Sequence, residues 1–176
     1  MSKARAVSFA GLTVLATVLA AGCGTTDLTS QFMSVDAANQ TVTLKLIAGY
    51  NSANDYQNFD GYANGKLVFT VPAGYKVKLD FENSGGMPAD IGVYNANLQL
   101  AFKGAGDSIR DIVENPTPGI EPGDSQTLTF TAAKTGTYRI DNLIYRFPEF
   151  SQTQQDTGMW VQLDVVANAT PSAVGH

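Results

Sequence analysis

Short segments in which apolar and polar residues alternate dominate the chain from residue 41 onward, and they constrain its fold more than any other feature. The clearest of these segments are 42–46, 66–71, 76–82, 98–102, 127–131 and 160–166, with shorter runs at 91–94 and 138–140. A period of two places successive side chains on opposite faces of a strand. Each segment therefore predicts a half-buried β-strand.

Turn-forming residues separate these segments at regular intervals. They are Asn64-Gly65, Pro72-Ala73-Gly74, Ser84-Gly85-Gly86, Pro122-Gly123-Asp124 and Lys134-Thr135-Gly136. Many short strands with such turns, and no sustained helical period, predict an all-β sandwich or barrel. The segment 104–124 is predicted to be one long Pro-rich loop with a single helical turn at 107–114. A first edge strand is predicted at 31–35.

The N-terminus is typical of an export signal. Lys3 and Arg5 precede an apolar run over 6–21, and small residues follow it. This order is that of a secretory signal peptide. The alternative is a transmembrane anchor, but the run is shorter than the roughly 20 apolar residues that a span needs. We therefore predict a signal peptide at 1–22.

The segment Leu19-Ala20-Ala21-Gly22-Cys23 resembles the lipobox of bacterial lipoproteins. The resemblance implies that Cys23 is lipidated with palmitate-type acyl chains and becomes the first residue of the mature protein. Two or more acyl chains hold a protein stably at a membrane. We expect an exported protein, anchored to the cell membrane or outer membrane on its periplasmic or extracellular face. Residues 23–40 would be the lipidated cysteine and a polar tether, and residues 168–176 a disordered tail.

Composition excludes several classes of function. The formal net charge is −5, and removal of Lys3 and Arg5 makes it more negative, which argues against nucleic-acid binding. Cys23 is the only cysteine, so no disulfide can form within the chain, and His176, the only histidine, is the last residue. These counts exclude a zinc cluster and a Ser-His-Asp or Cys-His pair. We expect a protein that is not an enzyme.

Three phrases occur in a characteristic order. They are Phe69-Thr70-Val71-Pro72-Ala73-Gly74-Tyr75, then Pro118-Gly119-Ile120-Glu121-Pro122-Gly123-Asp124 with Gly136-Thr137-Tyr138, and finally Gly158-Met159-Trp160. In that order they resemble a cupredoxin, most closely the sulfocyanin-like branch. The resemblance covers 41–167 and implies a cupredoxin-like Greek-key β-sandwich.

Cupredoxins bind one copper ion through two histidines, one cysteine thiolate and a weak axial methionine. By the resemblance, Ala89 occupies the first histidine position and Phe150 the second. The cysteine position falls on Asn142 or on Tyr145, depending on which neighbouring motif anchors the alignment. Met159 alone is retained. We therefore expect no cofactor, no metal site and no blue-copper electron transfer.

Three interpretations of the vacated positions stay open. The preferred one is aromatic packing around Met159, because thioether–aromatic contacts are favourable. The second is a ligand groove, formed by Tyr145, Arg146, Phe147, Phe150 and Trp160. The third is a Ca²⁺ site, formed by Asp90, Asp141 and Glu149. A separate aromatic series, Tyr50, Tyr56, Phe59 and Tyr62, is predicted to pack in the core rather than form a recognition strip.

These inferences combine into one functional prediction. The chain would be a membrane-anchored, cupredoxin-like lipoprotein without type 1 copper ligands, acting as a non-enzymatic binding or accessory module in the cell envelope. Its partners would be the membrane, through lipid on Cys23, and an envelope protein. The alternative is copper-linked periplasmic electron transfer or copper handling, through unrecognised ligands or a partner's.

Overall fold

The computed structural model describes residues 24–106, 119–144 and 154–176. The predicted signal peptide, Cys23, Tyr145, Phe150 and the centre of the Pro-rich loop lie outside these residues. Within them, no helix is long and apolar enough to cross a membrane.

Ten strands and one short α-helix make up the regular structure of the described residues. In chain order they are β1 (Thr26–Asp27), α1 (Thr29–Phe32), β2 (Met33–Asp36), β3 (Thr41–Ala48), β4 (Leu67–Pro72), β5 (Lys76–Asn83), β6 (Gly92–Tyr94), β7 (Ser125–Thr131), β8 (Gly136–Asp141), β9 (Trp160–Val166) and β10 (Ser172–Gly175). Two short 3₁₀ helices, Ala53–Tyr56 and Gln155–Thr157, lie in the loops.

The strands form two sheets. One has six strands in the order β1-β10-β4-β9-β8-β6, and the other has four in the order β2-β3-β5-β7. The pairs β3–β5 and β4–β9 are parallel, and the other neighbours are antiparallel. The prediction of an all-β, cupredoxin-like sandwich is confirmed.

An apolar layer between the sheets holds the sandwich together. In β3 and β5 alternate residues are fully buried, and the same alternation in β4 and β9 supplies the opposite face. The inward residues include Leu44, Leu79, Phe69 and Leu163, each with no exposed surface. Burying one such side chain contributes roughly 1.5–3 kcal/mol. The period-two pattern therefore sets which face of each strand enters the core.

The two ends of the sandwich are distinct. The strands β3, β5 and β8 finish at one end, which we call the loop end. Its described connections are 49–66, 84–91, 119–124, 142–144 and 154–159. At the opposite end, which we call the base, short turns join the strands at 37–40, 73–75, 132–135 and 167–171.

The boundaries predicted for both termini are wrong. Residues 172–175 are not a disordered tail but β10, which pairs with β4, and residues 26–36 are not a tether but contain β1, α1 and β2. The short strand β2 does lie at a sheet edge, close to the predicted position. These terminal segments are ordered because they bury Phe32, Met33 and Ala173 in the apolar core and because the sheet edges offer backbone hydrogen-bond partners.

Two other local predictions also need correction. The segment 98–102 is not a strand and makes one isolated bridge, between Leu100 and Tyr94, because the Asn95 side chain caps a turn there. In the aromatic series Phe59 is fully buried, as predicted. Tyr50 and Tyr56 are instead 45% and 57% exposed.

Candidate functional site

The loop end brings together three of the residues singled out in the sequence. Asn142 directly follows β8, Met159 directly precedes β9, and Ala89 lies in the loop between β5 and β6. The Asn142 side-chain nitrogen is 3.4 Å from the Met159 sulfur. The backbone of Asp90, next to Ala89, donates a 3.1 Å hydrogen bond to the Asn142 Oδ1 atom. Asn142 is thus the cysteine-position candidate that neighbours Met159.

Asn142 is the centre of a buried amide network. Its Oδ1 atom also accepts from the backbone of Ile144 at 3.1 Å, and its Nδ2 atom donates to Gln154 Oε1 at 3.0 Å. Gln154 in turn donates from Nε2 to the Pro88 carbonyl at 2.8 Å. Both amide side chains are buried. Burying such groups is costly unless they are hydrogen-bonded, and this network supplies the bonds.

Asn83 positions the neighbouring loop. Its Nδ2 atom donates to the carbonyls of Met87, at 2.9 Å, and Ile120, at 2.7 Å, while its Oδ1 atom accepts from Gly85 at 3.0 Å. Gly49 has a φ of +65°, and a Cβ there would lie 2.5 Å from the Gly85 Cα atom. Only glycine allows the two loop backbones to approach so closely.

A cavity of about 220 Å³ opens between these loops. Two methionines line it, Met87 and Met159, together with Asp55, Gln57 and Gln154. Met159 is 2% exposed and Met87 is half-buried. The cavity is therefore lined largely by polar residues, with two methionines among them.

Two of the loop-end carboxyl groups have raised pKa values. Burial raises the pKa of Asp141 to about 7, against the opposing charge of Arg139, although Gln155 donates to its Oδ2 atom at 3.2 Å. Burial raises the pKa of Asp60 to about 8, against a 2.9 Å hydrogen bond from the backbone of Ile47. Both carboxyl groups thus hold a proton more tightly than an exposed aspartate does.

The described residues give little support to the predicted Ca²⁺ site. Asp90 and Asp141 are both buried at the loop end, and Glu149 lies outside the description. No group of three or more histidine, cysteine, aspartate or glutamate side chains in the described parts of the chain could hold a metal ion.

The contacts of Trp160 argue against the ligand-groove interpretation. The Arg139 guanidinium lies 4.3 Å from the centre of one face of its ring. A Cβ at Gly65 would lie 2.4 Å from ring atoms, so this backbone also packs against the indole. Trp160 does not line the cavity. The other four residues proposed for that groove, and the aromatic residues proposed to fill the site, lie outside the described ranges.

Sequence reasoning missed Gln154 and Met87. Gln154 lies in a segment predicted only as a polar loop, yet it links Asn142 to Pro88 across the site. Met87 lies two residues before Ala89, in the loop inspected for the first histidine. A second methionine in that loop was the available signal, whereas nothing local distinguishes Gln154 from its polar neighbours.

Comparison with known proteins shows which family this chain resembles. The family model described as Sulfocyanin (SoxE) domain matches residues 29–175. No curated protein matches the sequence.

Solved structures with a similar fold are copper proteins. A multicopper oxidase from Pseudomonas thermotolerans is 15% identical with a TM-score of 0.51, covering 74% of this chain and 30% of its own. A dithionite-reduced auracyanin from Roseiflexus castenholzii is 21% identical with a TM-score of 0.46, covering 70% and 96%. A copper nitrite reductase from Nitrosomonas europaea is 22% identical with a TM-score of 0.48, covering 73% and 42%. This chain thus spans less than a third of the oxidase, and these identities show the fold alone.

The expectation that the protein has no cofactor is contradicted by these findings. The match to the sulfocyanin domain, which belongs to a cupredoxin family, points to copper binding.

The residues present do not fit the type 1 donor set. That set needs two imidazoles and a thiolate beside the methionine. Here the only cysteine is Cys23, and the only histidine, His176, follows β10, where its backbone bonds to Lys66. At the site itself Met159 is accompanied by the amide of Asn142.

The suspected resemblance to the sulfocyanin-like cupredoxins is confirmed. The family match extends over most of the chain, from α1 through β10, and so includes both sheets and the terminal strand that sequence reasoning had excluded. The chain belongs to the sulfocyanin (SoxE) domain family, a family of cupredoxins.

Proposed function

We propose that the protein is a lipid-anchored cupredoxin-domain protein of the cell envelope that acts as a non-enzymatic binding module. The observation that carries this proposal is the amide network at the loop end. Asn142 lies beside Met159, where a type 1 centre would need a thiolate, and it is fully engaged by Asp90, Ile144 and Gln154. A satisfied buried network of this kind holds loops in a defined arrangement.

The absence of an enzymatic activity is part of the proposal. Nucleophilic catalysis needs a nucleophile next to a base, most often a histidine. His176 is the only histidine in the sequence, and Cys23, the only cysteine, is proposed to carry lipid. The buried network at the described loop end consists of amide side chains, which favour binding over group transfer.

Anchoring at the membrane rests on the lipobox-like segment that ends in Cys23. Replacing this residue, Cys23→Ala, should abolish acylation in mass spectra of the purified protein and release it from the membrane fraction. The unsubstituted chain is the control. A variant that stays membrane-bound would show that another segment anchors the protein.

The lack of a type 1 centre can be tested by absorption spectroscopy. The region 24–176 holds both sheets and their core but no cysteine. Titration of the full lipidated chain with Cu(II) should give no intense thiolate-to-copper band, because lipid is proposed to occupy the Cys23 sulfur. The region 24–176 is the control without a cysteine, and a band in the full chain that is absent from this control would contradict the proposal.

Copper handling is a second candidate, favoured by the family match and by one structural observation. Met87 and Met159 line the same cavity, and thioethers are soft ligands that select Cu(I) over harder ions. Under this reading the loop end would hold Cu(I) rather than a redox-cycling type 1 ion.

Competition with a chromophoric Cu(I) chelator tests this candidate under anaerobic conditions. The substitutions Met87→Leu and Met159→Leu nearly conserve volume, and each should weaken Cu(I) binding. The matched control is Met33→Leu, because Met33 lies in β2, outside this cavity. Equal affinity in all three variants would rule out a thioether site.

A further inference from the structure

The chain enters the sandwich at the loop end. Thr26, the first residue of β1, pairs with Gly175, and Gly175 pairs with Leu67, the first residue of β4. The start of β4 lies beside the start of β9, which Met159 directly precedes. The first residue of the folded domain and the cavity methionine are therefore at the same end of the six-stranded sheet.

Only Gly24 and Thr25 separate Cys23 from Thr26. Three residue steps of extended chain span at most about 11 Å. Across the sheet, β1 and β9 are three strand positions apart, which corresponds to roughly 14 Å. The base is farther away, because the eight residues of β5 span about 26 Å.

The loop end also differs from the base in charge. Exposed carboxylate side chains lie in its described connections, at Asp55, Glu121, Asp124 and Asp156, against one exposed lysine, Lys66. In or beside the turns of the base, the exposed Lys76 and Lys134 outnumber the exposed Asp36. An acidic end is repelled by the negative surface that anionic lipids create, and it attracts a basic protein surface.

We infer that lipid on Cys23 holds the loop end toward the membrane, so that its partner is an integral membrane protein with a basic surface, not a soluble protein. This inference rests on the proposed lipid anchor. A two-residue connection cannot lift the cavity out of reach of such a partner. The exposed Tyr50 and Tyr56 lie at the same end, and tyrosine is a residue type enriched in the energetic centres of protein interfaces.

The orientation can be measured on the full lipidated chain in lipid vesicles. Two variants, Glu121→Cys at the loop end and Lys134→Cys at the base, each introduce one thiol, and acylation blocks Cys23. A large polyethylene-glycol maleimide cannot reach a thiol that faces a nearby bilayer. We expect residue 121 to react several-fold more slowly than residue 134 in vesicles, and the two to react at equal rates in detergent. Equal rates in vesicles, or a slower reaction at residue 134, would overturn the inference.

Two further readouts separate the possible failures. Flotation with the vesicles tests the anchor itself, so a protein that does not float contradicts the proposed lipidation rather than the orientation. A fluorophore on residue 121 should be quenched by a quencher on lipid headgroups and not by one deep in the acyl chains. Deep quenching would make the bilayer itself the occupant of this end and would overturn the proposed protein partner.

Discussion

The loop end and the base of the sandwich differ most in what they bury. The buried polar side chains of the described residues are Gln57, Asn58, Asp60, Asn83, Asp90, Asp141, Asn142 and Gln154. All of them lie in the loop-end connections or at the ends of strands that lead into them. The turns of the base contribute none of these side chains.

The side-chain hydrogen bonds in the turns of the base are correspondingly local. Asn39 donates to Asp36 within one turn, at 2.7 and 3.1 Å, and both residues are exposed. At the loop end, Asn142 reaches Asp90, which is 52 residues away along the chain. The comparison indicates that the base closes the fold, whereas the loop end maintains a specific arrangement of polar groups at some cost in stability.

A substitution in the apolar layer that supports both ends should lower the free energy of unfolding the most. Phe69 is fully buried in β4. The substitution Phe69→Ala should lower the free energy of unfolding by about 3–5 kcal/mol, because it removes a large apolar side chain and leaves a cavity. Chemical denaturation measures this loss. A loss no greater than that for Asn142→Ala would mean that the polar end, and not the core, carries the fold.

Asp60 should make stability depend on pH. Its pKa is about 8 in the folded protein and about 4 when unfolded, so between these values the folded state binds one more proton. The contribution of Asp60 to the free energy of unfolding is fully present below about pH 4. It decreases by a few kcal/mol as the pH rises from there to about 8. The substitution Asp60→Asn should remove this slope from pH-dependent denaturation, leaving the part due to Asp141. The exposed control Asp124→Asn should leave it unchanged, and an unaltered slope in Asp60→Asn would contradict the assignment.

Loss of the Asn142 side chain should lower the free energy of unfolding by a moderate amount. The substitution Asn142→Ala leaves the buried backbone N–H groups of Asp90 and Ile144 without their acceptor, at a cost of about 1–3 kcal/mol in unfolding free energy. Slowed amide exchange at these two positions should be lost in the variant, as hydrogen exchange followed by NMR would report. Retained protection would show that another acceptor replaces the side chain.

The matched change at the base should give the smallest effect. Asn39→Ala removes one side-chain hydrogen bond, from Nδ2 to the Asp36 carboxylate at 2.7 Å, and this bond is exposed to water. Surface substitutions of this kind usually change the unfolding free energy by less than about 0.5 kcal/mol. Thermal denaturation of the two asparagine variants side by side tests the contrast between the ends. Equal losses of unfolding free energy in Asn142→Ala and Asn39→Ala would contradict the proposed difference between the two ends.

The sequence predicted the strands whose pattern is internally repeated. β3, β4, β5, β7 and β9 each show a period of two because one face meets the core and the other meets water. The short strands β1 and β10 have no such pattern. They exist because a neighbouring edge supplies hydrogen bonds, which is a property of the folded sheet and not of the segment. The alternation at 98–102 misled for a different reason, because this segment folds into a turn held by Asn95 and still buries Phe102 against Phe130.

The positions of the candidate site were predictable only in part, and their chemistry was not. The motif Gly158-Met159-Trp160 identified Met159, and the alignment on Gly136-Thr137-Tyr138 placed Asn142 at the cysteine position, whereas the alternative alignment placed Tyr145 there. Nothing in the sequence indicated that Asn142 would be held by Gln154, because that contact depends on how the loop after β8 returns to the site. The sequence also shows no sign of the raised pKa of Asp60, because that pKa depends on burial in the folded protein.

The uneven lengths of the edge strands affect how copies of the protein meet one another. The six-stranded sheet ends on β1, with two residues, and β6, with three, so these edges offer few unpaired backbone groups. The seven-residue β7, at one edge of the other sheet, offers more, and its outward side chains are serine and threonine. Long edges invite strand addition and aggregation, whereas very short ones discourage it. Two copies of the protein would thus add strands to one another along β7 rather than along either edge of the six-stranded sheet.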